Sequence, residues 1–192
     1  MAISIDTTQY DPAGSFDSVA AGKCHVQMIE FREFGAKPSG DHIAKFEVLN
    51  HEDPEMIGHV HTEYFNQKPK AAWLLQALAV GLGMNTKDEF IAASQSGKPI
   101  DLDFPAATGR QCLAEIRNEV YDNKDRFKIS GRFYLLTDPT KTTYPVNYGS
   151  VSVGKCGVDP ATIPARTQST AKPATASKPA TTPPATLADA PW

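Results

Sequence analysis

At 192 residues, 41% hydrophobic and 21% charged, the chain has the make-up of one soluble globular domain with a core of its own. Its formal charge of −3 and pI near 5.9 exclude the easy signature of a nucleic-acid binder, a strongly basic protein, so any such role must rest on where the charges are placed. No stretch approaches eighteen apolar residues and the N-terminus has neither a basic start nor an apolar signal core, so the expected location is the cytoplasm.

Composition divides the chain into an N-terminal arm (residues 1–20), a domain (21–150) holding nearly all large apolar residues, and an Ala/Pro/Thr-rich tail (151–192). The tail has too little apolar side chain to offset the entropy of ordering it, and it reads as a disordered, extended linker. In the domain, "KCHVQMIEF" suits a strand, "GAKPSGD" a turn, and "HIAKFEVLNH" a second strand antiparallel to the first. A third strand follows in "MIGHVHTEYF", where Val60, Thr62 and Tyr64 alternate with His59, His61 and Glu63. The period then changes. Trp73, Leu74, Ala77, Leu78 and Leu82 recur at helical spacing, with Gly81 and Gly83 at the exit, and Trp73 is expected in the core as the anchor of this helix. A shorter helical piece, "TKDEFIAAS", has Thr86 as its N-cap. Two strands close the domain: "QCLAEIRNEVYD", with Cys112, Ala114, Ile116 and Val120 in near register, and "RFKISGRFYLLTD", with "DNKD" as the turn between them.

Three strands, a helix, then two strands is the order of an OB-fold, so the expected class is mostly β with a five-stranded OB-like Greek-key barrel, a helix between strands 3 and 4, and a disordered C-terminal tail. Residues 20 to 138, from "AGKCHVQMIEF" through "WLLQALAVGLGM" and "SGKPIDLDF" to "YDNKDRFKISGRFYLL", resemble in layout and hydrophobic spacing the phage-encoded single-stranded-DNA-binding proteins of the domain-of-unknown-function 669 type. That resemblance implies protection of single-stranded DNA in replication or recombination, on an OB-type scaffold. A protein-interaction or recombination-accessory module without direct DNA binding is the alternative.

Single-strand binding needs cations along phosphates and aromatic faces for bases. On the last strand Arg126, Lys128, Arg132 and Tyr134 alternate with the apolar set. Arg117 on the fourth strand, Lys45 on the second, and Lys37 and Lys124 in the two hairpin turns extend the candidate surface, with His59 and His61 as polar sheet residues that could stack on bases. Arg117 shares its side with Glu115 and Glu119, which dilute the charge. A metal triad of His59, His61 and Glu63 is the less favoured reading, since no motif draws ligands from separate elements. Catalytic elbows, phosphate loops and clustered carboxylates are absent from the sequence, so neither enzymatic activity nor a cofactor is expected. Cys24 and Cys112 sit in apolar strands and read as buried, inert thiols. The chain ends "LADAPW". Bacterial single-stranded-DNA-binding proteins carry a similar tail, with acidic residues, a proline and a terminal aromatic at its tip. The resemblance implies that Asp189, Pro191 and Trp192 dock a replication or recombination partner, although only one acidic residue remains here.

Overall fold

The computed structural model describes residues 19–33, 41–66, 72–151 and 160–164. Strands β1 (Gly22–Glu33), β2 (Asp41–His51), β3 (Val60–Asn66), β4 (Gln111–Tyr121) and β5 (Lys124–Tyr134) form one antiparallel sheet in the order β3-β2-β1-β4-β5. Helices α1 (Ala72–Gly81) and α2 (Lys87–Ser96) fall between β3 and β4 in the chain. The fold is therefore mostly β, with an open sheet: no backbone ladder joins β3 to β5 among the described residues. No helix of the described residues is long and apolar enough to cross a membrane.

Local chemistry explains most boundaries. The two-residue turn between β4 and β5 puts Asp122 and Asn123 at φ 53° and 56°, the left-handed pair that a type I′ hairpin requires and that, after glycine, Asp and Asn tolerate best. Thr86 caps α2 in a full capping box: its hydroxyl accepts from the Glu89 N–H, and the Glu89 carboxylate accepts from the Thr86 N–H. The turn expected between β1 and β2 lies outside the described residues.

One face of the sheet carries the main core. Cys24, Val26 and Met28 of β1, Ala44, Phe46 and Val48 of β2, Cys112, Ala114 and Ile116 of β4, and Ile129 and Phe133 of β5 pack against Leu78, Ala79 and Leu82. Burial pushes the Cys24 thiol up to about 12, and Cys112 upward as well, which fits the inert reading of both. Helix α1 lies so close to β5 that a side chain at Gly81 would meet Phe133 Cβ at 2.4 Å. The opposite face is also covered at one end. Leu113, Leu136, Tyr144, Val146 and Val151 form a second cluster there, and Ile163, on the tail side of the composition boundary, is buried with them. Buried His25 fastens this segment: its Nδ1 accepts from the Asn147 N–H, while Gln111, paired with its Nε2, donates to the Ser150 carbonyl.

Strand β3 corrects the sequence reading. Its polar residues face inward: His61 and Glu63 are each 4% exposed, while Tyr64 is 58% exposed. The reason is the seam between the two edge strands. Glu63 Oε2 accepts from the Ile129 N–H of β5 at 2.7 Å and lies 3.3 Å from His61 Nε2. Phe65 and Phe46 bring their rings within 6.3 and 5.7 Å of Phe133 beside it. A buried backbone N–H with no strand partner needs an acceptor, and Glu63 supplies it. Val120 is a second correction: the register that placed it with the core residues ends where the hairpin outruns the sheet, and it is 72% exposed.

Glu63→Ala removes that acceptor and is expected to cost about 2–4 kcal/mol, whereas Glu63→Gln, which keeps a carbonyl oxygen, should recover most of it. Urea unfolding tests this, and an alanine variant within about 0.5 kcal/mol of the parent would contradict the seam's role. Buried His51 gives a pH test. Its Nδ1 accepts from the Asp53 N–H, and burial holds its pKa below the usual 6.5. The unfolded chain therefore takes up that proton first as pH falls through about 6.5, so stability should drop on the acid side. His51→Asn, which retains an acceptor, should flatten the slope between pH 7 and 5; an unchanged slope would count against it.

Candidate nucleic-acid interface

Beyond Ile116, β4 has no ladder to β1, and with β5 it projects as a two-stranded ribbon. The register sets Arg117 opposite Lys128, Glu119 opposite Arg126 and Tyr121 opposite Lys124. Side chains alternate along a strand, so Arg117, Glu119, Arg126 and Lys128 share the face turned away from the core, and all four are exposed. Like charges directly opposite destabilise a ladder. Here Arg117 leans on Glu115, with Nη2 to Oε1 at 3.0 Å, and Lys128 on Glu119 at 3.7 Å. Exposed pairs of this kind are worth only about 0–1 kcal/mol, so a phosphate can compete for either cation.

The same face continues along the sheet. Glu115 Oε2 accepts from the Tyr144 hydroxyl at 3.4 Å, the Tyr144 ring meets Tyr134 edge-on at 5.5 Å, and Lys141 Nζ lies 4.0 Å above the Tyr134 ring. Burial, with Tyr134 and Glu115 beside it, holds the Tyr144 hydroxyl protonated well above the usual tyrosine range. The result is a stripe that runs from the exposed cations Arg126, Lys128 and Arg117 past Glu115 to the partly exposed Tyr134 and Lys141, with Tyr144 buried against Tyr134.

The other expected site residues fall as follows. Arg126, Lys128, Arg117 and Tyr134 lie on the stripe. Lys124 ends the ladder. Arg132 is exposed at the far end of β5, where Gly131 breaks the pairing, and it lines a cleft beside α1. Lys45 lies elsewhere, across β1 to β3, its Nζ 2.7 Å from a Glu30 carboxylate that also takes Arg32. Lys45, first, and Arg32 hold the Glu30 carboxyl below the usual range. Tyr64 is exposed on that side, cross-strand from Ile43. His59 is half-buried where the chain enters β3. His61 is not part of any surface, because its ring is spent on Glu63 inside the seam. Lys37, Asp189, Pro191 and Trp192 lie outside the described residues.

Trp73 is a further correction. It is 54% exposed, not core, because α1 presents it over β5 instead of into the sheet. There the ring edge rests on Gly131, whose φ is +77° and whose added Cβ would lie 2.2 Å from Trp73 Cη2. Position 131 thus needs glycine for its backbone and for the indole. Sequence reading also passed over Lys141 and Tyr144. The only signal for Tyr144 was aromatic spacing in "TYPVNYGS", a stretch with no strand or helix period, and Lys141 lies just before it with no pattern of its own.

Among known proteins, no family model matches the chain, and no curated protein sequence matches it.

Gly131→Ala should destabilise by about 1–2 kcal/mol through the positive φ and displace the indole. With Trp192→Phe leaving Trp73 as the sole tryptophan, its emission should shift; neither a stability loss nor a spectral change would contradict this packing.

Proposed function

We propose that this protein binds single-stranded DNA with little sequence preference and protects it during replication or recombination, as a non-enzymatic protein on an OB-type scaffold. The observation that carries the reading is the stripe on the outer face of β4 and β5, where Arg117, Lys128 and Arg126 are gathered by register and Tyr134 and Lys141 continue the line, with the buried Tyr144 packed against Tyr134. Cations that track a backbone and aromatic rings beside them are what a single strand requires, whatever its sequence. The strand order supports the scaffold: an OB barrel opened between its third and fifth strands has the order β3-β2-β1-β4-β5, and Glu63 spans that gap here. The carboxylates of Glu115 and Glu119 temper the stripe, so affinity should fall steeply with salt.

The test is titration of a fluorescent oligonucleotide across a salt series. Arg117→Ala with Lys128→Ala should weaken binding to every sequence about equally and lower the salt slope by roughly 1.4, at about 0.7 per single-strand phosphate contact. Removing the last six residues should leave the titration unchanged, because the tip is proposed to dock a protein partner. No binding at low salt would sink the reading and favour a protein-interaction module; equal slopes for parent and double variant would show that the strand lies elsewhere.

A further inference from the structure

At the Tyr134 end the stripe runs into a cleft of about 1170 Å³ between α1, the start of α2 and the chain leaving β5. Tyr134 and Lys141 line both stripe and cleft; Trp73, Arg132 and Ile91 line the cleft. We propose that this cleft takes one unstacked base of the bound strand on the face of Trp73, an inference that rests on the single-strand reading above.

Three features point to a nucleotide. The indole is exposed yet held: its ring edge rests on the bare backbone of Gly131, so little freedom is lost when a flat partner stacks on it. Charge is divided across the cleft. Arg132 and Lys141 lie on the β5 side together with Asp138, whose Oδ1 accepts from the Thr140 N–H and hydroxyl, while Asp88 and Glu89 lie at the start of α2, with Lys87 beside them. Glu89 is already committed to the Thr86 cap. An anionic backbone is thus drawn to the β5 side while its base points toward Trp73. Finally, Tyr134 and Lys141 make the cleft continuous with the stripe, so a strand that follows the stripe past Glu115 meets Lys141 and Arg132 at the cleft.

The experiment uses the full chain with Trp192→Phe, so that Trp73 alone reports, and two labelled strands of about 30 nucleotides, one of thymidine and one abasic with the same phosphates. Thymidine should quench Trp73 in step with the anisotropy of the bound strand, while the abasic strand should bind more weakly without quenching. In the chain that keeps Trp192, Trp73→Ala should weaken thymidine binding by about 5- to 150-fold, as expected for one lost base stack, and leave abasic binding within about twofold. Trp73→Phe, which keeps a ring and should keep the thermal midpoint, should lose less than the alanine variant. Thymidine binding with unchanged Trp73 emission would overturn the base-cleft proposal while leaving single-strand binding intact; failure of both strands to bind would overturn both. A Trp73 emission that shifts on removing the last six residues and ignores DNA would also overturn it, showing that the cleft holds the chain's own tip.

Discussion

The Glu63 carboxyl group is what brings the two free edges of the sheet together. An antiparallel sheet that ends in β3 on one side and β5 on the other exposes two rows of unpaired backbone groups. Here the edges curve toward each other, but the described strands form no ladder across the gap. One side-chain oxygen, 2.7 Å from the Ile129 nitrogen and within reach of His61, replaces the missing backbone partner. Phe46, Phe65 and Phe133 surround the junction and exclude water from it.

That constraint propagates outward. Because Glu63 and His61 must face the seam, the period-two alternation of β3 sends Val60 and Tyr64 to the outside, reversing the usual distribution of polar and apolar groups. Because Ile129 and Phe133 must reach the same seam from β5, Lys128 is committed to the outer face opposite Arg117. A feature of the core thereby decides which cations share a surface. The covering segment from Tyr144 to Val151, tied down through His25 and Gln111, packs the buried Tyr144 ring against Tyr134 and limits how much of that surface stays open.

Helix α1 depends on the same geometry. It can lie against β5 only where side chains are missing, at Gly81 on the helix and Gly131 on the strand. The two glycines differ in kind: one removes bulk in an ordinary helical backbone, the other also allows a left-handed residue where the β4 and β5 registers slip. With the helix so placed, Trp73 rests on the strand's surface at the mouth of a cleft, not inside the sheet.

Much of the architecture was legible in the sequence because its signals are local. Alternation marked all five strands, helical spacing marked α1, and Thr86 with Glu89 and Asp122 with Asn123 wrote their cap and turn directly. The basic set on β5 was legible for the same reason, since alternation along one strand needs no partner. What the sequence could not decide was which side of each strand faces in. A histidine and a glutamate read as surface residues until a backbone N–H sixty-six positions away requires an acceptor, and a tryptophan reads as core until Gly131 is found beneath it. Those outcomes depend on contacts between distant segments, whose pairing is set by packing and by the need to satisfy buried polar groups. The sequence by itself determined the elements and their order; the tertiary structure decided the facing of β3, the place of Trp73 and the joining of Tyr134 to Tyr144 and Lys141.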